Sequence, residues 1–332
     1  MTFSLVLHCN LYPTSSVPGS THTRGTRSPA PREEEPADTR PSTNARRAHQ
    51  DQERDNMRPS RGLHLAVLLL LFSASVLLPA ARAQEETDEE EEFSYLLDAE
   101  NGPAHWGDIK EEWSTCGKGN MQSPIDLASP RVSLVRGLGY LNHSYVPANA
   151  TIINRGHDIM LKFEGDAGSV SIAGTPYFLR QLHWHSPTEH SVNGRRYDME
   201  LHMFHESAQG KAAVIGVFYE VGAHDAFLHK MEPYLEMIAD RKDREEKMGM
   251  MDPRDARGKA SVYYRYLGSL TTPPCTEGVI WTIIKRVRSV SRHQLELLRE
   301  AVHDDMEKNA RPRQEVNSRD ISMFRPFEQN RH

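Results

Sequence analysis

A succession of short β-rich runs, at residues 151–154, 159–163, 170–172, 177–185, 200–205, 212–221 and 279–284, dominates the interpretable part of this chain. Each is dense in Val, Ile, Leu, Phe or Tyr and is bounded by Gly, Asn, Asp or Pro. Strands cannot satisfy their own backbone N–H and C=O groups, so these runs must pair with one another. Val192-Asn193-Gly194-Arg195 carries a hairpin-turn signal. Helical patterns are fewer. Ser291-Arg292-His293-Gln294 reads as a capping box ahead of Leu295, Leu298 and Val302 at helical spacing. Phe227, Leu228, Met231, Leu235 and Ile238 suggest a second helix, interrupted by Pro233. Residues 239–258 are highly charged and read as a loop with some helix. The expected fold is one sheet-dominated α+β domain.

Two of these runs carry histidines. Side chains at i and i+2 leave the same face of a strand, so His183 and His185 point at one spot while Trp184 packs behind. A neighbouring strand holding Glu200-Leu201-His202 can bring a third imidazole there. Three neutral imidazoles with an open fourth position describe a catalytic zinc site. Ligating imidazoles usually donate their other N–H to an acceptor, and Gln181 and Glu200, each two residues before a ligand, are placed for that. With 17 histidines in the chain, a lone His-x-His carries little weight. His205 leaves the opposite face from His202 and reads as structural.

The ends of the chain differ from its middle. Residues 1–56 are rich in Pro, Arg, Ser, Thr and Glu, lack apolar periodicity and read as a disordered upstream extension. Residues 57–83 combine a short basic stretch, the apolar run from Leu63 to Leu78, and Ala81-Arg82-Ala83, the pattern of a signal peptide cleaved after Ala83. A signal normally opens a chain, so either translation begins at Met57 or the extension is genuine. The apolar run is short for a membrane span, which needs ~20 residues, so no stable anchor is expected after cleavage. Residues 84–92 form an acidic tail, 93–328 the folded domain and 329–332 a short C-terminal tail.

A net charge of −6 gives no support for nucleic-acid binding. Of the 3 cysteines, Cys9 lies upstream of the signal, leaving Cys116 and Cys275 as a pair for an oxidising compartment. The sequons at Asn142 and Asn149 fit the same secretory route. The destination is then the extracellular space or cell wall, with the chloroplast stroma as the alternative.

The segment Gln181-Leu182-His183-Trp184-His185, followed by Glu189-His190 and Glu200-Leu201-His202, resembles the alpha-class carbonic anhydrases. Further matches span residues 93–326. They include Gly102-Pro103-Ala104-His105-Trp106, Gln122-Ser123-Pro124-Ile125-Asp126, Asn154-Arg155-Gly156-His157, Gly268-Ser269-Leu270-Thr271-Thr272-Pro273-Pro274-Cys275 and Asn309-Ala310-Arg311-Pro312. The cysteine pair and Tyr263-Tyr264-Arg265-Tyr266 make the chain most similar to the secreted plant branch. The resemblance implies a central, mostly antiparallel, twisted sheet of about ten strands with peripheral helices.

It also implies an activity: reversible hydration of carbon dioxide to bicarbonate and a proton, by attack of a zinc-bound hydroxide. By resemblance, His183, His185 and His202 hold Zn2+. Thr271 accepts a hydrogen bond from the hydroxide and donates one to Glu189, and Thr272 lines the polar side. The carbonyl of Asn309 is the acceptor behind His185, and His190 is a buried structural histidine. Val214, Leu270, Val279 and Trp281 form the apolar wall for a substrate without a net dipole, and Phe204, larger than the family's usual residue, narrows the pocket. His157 matches the proton shuttle, a group that titrates near neutral pH. Arg155 and Met160 depart from the polar uncharged residues usual beside it, and the Arg155 guanidinium should lower the imidazole pKa.

Two other functions compete. A catalytically weak or inactive storage or binding protein on the same fold would show eroded ligands, whereas this chain retains the histidines, Glu189 and Thr271. A zinc peptidase would carry an H-E-x-x-H helix, which the sequence lacks.

Overall fold

The computed structural model describes residues 92–326, apart from 240, 303 and 304. The extension at 1–56, the signal at 57–83, Cys9, residues 84–91 of the acidic tail and the C-terminal tail lie outside the described residues. In chain order the strands are β1 (Val132–Leu134), β2 (Asn142–His143), β3 (Ala148–Asn154), β4 (Ile159–Glu164), β5 (Ser169–Ile172) and β6 (Thr175–His185). They continue with β7 (Met199–Ser207), β8 (Ala212–Val221), β9 (Glu245–Met251), β10 (Tyr263–Ser269), β11 (Glu277–Val290) and β12 (Ile321–Phe324). All join one 12-stranded sheet in the order β1-β12-β10-β11-β8-β7-β6-β4-β3-β9, with β5 pairing β2 and β6. Only β1 with β12 and β8 with β11 run parallel. The excess over about ten strands lies in β1 and β2, of 3 and 2 residues.

The sheet centre is covered on both faces. Along β6 the outer half alternates in burial, but from Gln181 to His185 every residue is buried. There Leu182 and Trp184 enter one apolar cluster with Leu201, Met203, Ala213, Ile215 and Val217. The other face of β7, β8 and β11 carries Phe204, Val214, Phe218, Val279, Trp281 and Ile283, a second cluster. Polar side chains on this second face are therefore surrounded by hydrocarbon.

The helices follow local chemistry. Ser291 Oγ accepts from Gln294 N–H and Gln294 returns a bond to the Ser291 N–H, capping the helix Arg292–Ala301. The 227–238 pattern is split into helices Ala226–His229 and Glu232–Ile238, which places Pro233 in a first turn, where its missing N–H costs nothing. The reading of 239–258 as loop and helix is corrected in part. Residues Glu245–Met251 form a strand, followed by the helix Pro253–Arg257. β9 is an edge strand with little burial, so charge replaces the apolar alternation that marks a strand. Asn193 and Gly194 both adopt positive φ, closing a tight turn bridged from Val192 to Arg195. Among the described residues no helix is long and apolar enough to cross a membrane.

Cys116 and Cys275 form a disulfide across a sequence separation of 159. The chain-entropy relation gives a loop of that length roughly 5 kcal/mol of stabilisation. Gln122 Nε2 donates to the Cys275 carbonyl, so the bridge anchors the loop that also carries Thr271 and Thr272.

His205, on the core face of β7, is fully buried between the Tyr145 hydroxyl at 2.7 Å and the Ala213 carbonyl at 3.2 Å. Burial pushes its pKa from 6.5 down to about 4. A depressed folded-state pKa leaves stability intact above pH 6.5 and erodes it as pH falls towards 4. Urea unfolding at pH 7 and pH 4.5 should show about 2 to 3 kcal/mol of acid loss traceable to this imidazole. His205→Gln should lose correspondingly less over the same interval; an unchanged acid loss would show that His205 does not govern it.

Candidate metal centre

The pairing of β6 with β7 sets His183 directly opposite His202 and His185 opposite Glu200. On the far side of β7, His202 faces Gly216 of β8. A Cβ on Gly216 would stand 2.9 Å from Glu200 Oε1, so the glycine makes room for that carboxylate. His183, His185 and His202 are all buried, and one ring nitrogen from each lies within 4.8 Å of the others.

Each ring is oriented by one bond. His183 Nδ1 donates to Gln181 Oε1 at 2.8 Å, His185 Nδ1 to the Asn309 carbonyl at 2.7 Å, and His202 Nε2 to Glu200 Oε1 at 3.0 Å. That leaves Nε2 of His183, Nε2 of His185 and Nδ1 of His202 as the lone-pair nitrogens. His202 Nδ1 and His183 Nε2 approach to 3.2 Å, close to the separation of two ligands on one tetrahedral zinc, ~3.3 Å. Burial holds the pKa values of His183 and His202 below the ordinary imidazole value, so both are neutral ligands at pH 7.

A longer chain of bonds fixes the tautomer of His202. Glu200 accepts from His190 Nδ1 at 2.7 Å and from the His190 backbone N–H at 2.9 Å. His190 Nε2 must then accept, and its partner is the Tyr266 hydroxyl at 2.7 Å. Tyr266 in turn accepts from Ser123 Oγ at 2.8 Å. Burial opposes ionisation of Glu200, but His190 and the bonds from both imidazoles hold its carboxyl well below the usual range. Burial also keeps the Tyr266 phenol protonated. With Glu200 ionised and accepting only, the His202 proton stays on Nε2 and Nδ1 stays open.

Glu189 is buried with different partners. Its Oε1 accepts from the Arg311 backbone N–H at 2.9 Å, while Oε2 stands 3.8 Å from His185 Nε2 and 3.9 Å from His202 Nε2. Thr271 and Thr272 are buried nearby in sequence to the bridged Cys275. The hydrogen bond expected from Thr271 to Glu189 is not formed here. Thr271 Oγ1 and Glu189 Oε2 are both buried with no hydrogen-bond partner, as is Thr272 Oγ1. Of these, Glu189 Oε2 stands beside the imidazoles, and an open acceptor there fits a site in which a further polar group completes it. Phe204, Val214, Leu270, Val279 and Trp281 all belong to the one apolar cluster on this face.

His157 is buried, with its ring edge-on to Phe93 at 5.4 Å and its carbonyl accepting from Asn309 Nδ2. The Arg155 guanidinium beside this imidazole also has a carboxylate partner. Arg155 Nε and Nη2 bind both oxygens of Asp158, at 2.8 and 2.6 Å, and Asp158 also lies 3.9 Å from His157 Nε2. Burial works against the Asp158 carboxylate, yet Arg155 holds its pKa well below the ordinary range.

Sequence reasoning gave Tyr266, Ser123, Asp158 and Arg311 no role. Arg311, buried, donates to Gln122 Oε1, the Ser123 carbonyl and the Cys116 carbonyl, tying the disulfide region to the Glu189 anchor. Only membership in the quoted motifs pointed to Arg311 and Ser123.

Comparison with known proteins bears on this geometry. A family model described as eukaryotic-type carbonic anhydrase matches residues 101–325. Alpha carbonic anhydrase 7 of Arabidopsis thaliana is 49% identical over 265 residues, covering 80% of this chain and 96% of that protein. Among solved structures, a dioscorin complexed with ascorbate superposes with a TM-score of 0.70 at 42% identity, over 72% of this chain and 100% of that one. The alpha-carbonic anhydrase of Thermovibrio ammonificans, bound to the inhibitor sulfanilamide, gives 0.63 at 35% identity, over 69% and 98%.

Gln181 touches the centre only through His183, so Gln181→Ala should leave the three imidazoles present and loosen one of them. Zinc affinity measured by chelator competition should fall about 10- to 100-fold. An unchanged affinity would show that this bond does not orient His183.

Proposed function

The chain belongs to the eukaryotic-type, alpha-class carbonic anhydrases, which are zinc enzymes, and on that premise we propose that His183, His185 and His202 are the zinc ligands through which it hydrates carbon dioxide reversibly to bicarbonate and a proton. One observation carries the reading. Each imidazole gives one nitrogen to its own acceptor, and the three that remain converge. Zinc bound there supplies a Lewis acid that lowers the pKa of a bound water from 15.7 to ~7.

The chain's own residues do the rest. Thr271 Oγ1 and Glu189 Oε2, each with an open valence, orient the attacking oxygen, and Arg311 N–H fixes the carboxylate from behind. Phe204, Val214, Leu270, Val279 and Trp281 present hydrocarbon to a substrate without a net dipole, while Thr272 lines the polar side. His157 carries the released proton away from the centre. Dioscorin dioA3 of Dioscorea japonica is 42% identical to the chain, yet the reading as a storage or binding protein finds no eroded ligand here.

The same proposal covers the route of the protein. Residues 57–83 act as a signal peptide cleaved after Ala83, and the chain enters the secretory pathway towards the extracellular space or cell wall. The Cys116–Cys275 bridge supports an oxidising destination, and Asn142 and Asn149 are exposed, as glycan acceptors must be.

Stopped-flow hydration of carbon dioxide by the purified chain tests the activity. A strong chelator should reduce it to the uncatalysed rate and one equivalent of Zn2+ should restore it; a rate indifferent to chelator would sink the proposal. For the proton path, His157→Ala should lower turnover in weak buffer and recover with added imidazole. A variant matching the wild type under both conditions would remove His157 from the path.

A further inference from the structure

Away from the buried centre, a second group of metal-type ligands stands at the surface. His224 follows β8, His229 ends the helix Ala226–His229 and Glu232 begins the helix Glu232–Ile238. One ligand atom from each lies within 4.8 Å of the other two. His224 Nε2 sits 2.7 Å from Glu232 Oε1 and His229 Nδ1 sits 2.9 Å from Oε2, so the two imidazoles converge on one carboxylate from different sides. Their ring centroids are 4.9 Å apart. The His224 and His229 side chains are 47% and 67% exposed, which leaves solvent access to the point between them.

The frame beneath these three residues is built from buried polar bonds. Gln294 Nε2 donates to Glu232 Oε1 at 2.8 Å and also to the Asp225 carbonyl, while Gln294 Oε1 accepts from Asp225 N–H. Asp225 accepts from the N–H groups of Phe227 and Leu228 and pairs with Arg288 at 2.6 Å. The turn carrying both histidines is thereby pinned to the capped end of the helix Arg292–Ala301. Burial would raise the pKa of Glu232, but bonds from His229, Gln294 and His224 hold it below its ordinary value. The carboxylate is thus ionised and preorganised.

We propose that His224 Nε2, His229 Nδ1 and a Glu232 oxygen form a second, surface site for a divalent transition cation of borderline softness, with Zn2+ as its probe. Two imidazoles and one carboxylate are a donor set that suits such ions, with water completing the shell. Zinc bonds of ~2.0–2.2 Å put neighbouring ligand atoms about 3.3 Å apart. The present N···O separations of 2.7 and 2.9 Å therefore open by about half an ångström when a cation replaces the shared protons. Exposed imidazole side chains can make that movement. The third contact of Glu232, from Gln294, remains to hold the carboxylate in place. None of these residues belongs to the His183–His185–His202 centre, so the inference stands apart from the proposed activity.

Calorimetric titration of the zinc-loaded full chain with further Zn2+ tests it. The wild type should bind one equivalent more than a His224→Ala/His229→Ala double variant, and either single substitution should weaken that step about tenfold or more. Carbon dioxide hydration should be the same in all four proteins, which also verifies that each variant is folded. Equal stoichiometry and affinity in the wild type and the double variant would overturn the proposal, leaving an imidazole–carboxylate cluster that pairs charge and binds no metal.

Discussion

The register between β6 and β7 is the constraint from which the centre follows. Setting His183 opposite His202 also sets Leu182 against Met203 and Trp184 against Leu201. Those four apolar residues are buried in the main core, on the face opposite the histidines. A slip of β6 by one residue would turn Leu182 and Trp184 out of the core and its two imidazoles into it. At roughly 1.5–3 kcal/mol for each large apolar side chain, that error costs about 3–6 kcal/mol, a large share of the stability of a typical domain. The ligand geometry is thus protected by hydrophobic burial, an energy that has nothing to do with the metal.

Holding polar groups in such surroundings requires that their bonds be complete. Along Ser123–Tyr266–His190 each proton points towards Glu200, and His202 donates to the same ionised carboxylate from the other side. Inside hydrocarbon a partly satisfied network would cost more than an apolar one. The same accounting explains Arg311, whose pKa burial lowers to about 10 while three carbonyl-type oxygens and the nearby Glu189 charge keep it a cation. These residues do no chemistry on a substrate, yet the orientation of His202 and the anchoring of Glu189 rest on them.

Much of this was legible in the sequence where the signal is local. Period-two placement put His183 and His185 on one face, and the i−2 positions of Gln181 and Glu200 marked the orienting acceptors. The capping box at Ser291 is a four-residue pattern and reads directly. The edge strand β9 did not, because its inward positions are mostly only half-buried and charged residues stand where apolar alternation would mark a strand. Tyr266 and Ser123 lie 76 and 143 residues away from their partners in the chain, and no spacing rule reaches that far. Asp158 was passed over for the opposite reason. It neighbours His157 in sequence, but its two-pronged pairing with Arg155 is a matter of side-chain geometry that sequence order does not display.

The two carboxylates at the centre show how burial separates support from function. Glu200 accepts bonds on both oxygens from His190 and His202, and nothing is left over. Glu189 accepts one backbone bond and keeps its second oxygen open, facing the ligand imidazoles, with the open hydroxyl of Thr271 also buried. An unsatisfied buried carboxylate oxygen carries a desolvation cost of about 1–3 kcal/mol or more. A fold that satisfies Glu200 completely could satisfy Glu189 by the same means, so the remaining valence is best explained by a group that arrives with the metal and its substrate. The loop bearing Thr271 is tied by a disulfide to Cys116, whose carbonyl is held by the same Arg311 that anchors Glu189. The Thr271 hydroxyl and the Glu189 carboxylate are therefore fixed to one frame, and their relative position does not depend on either being bonded to the other.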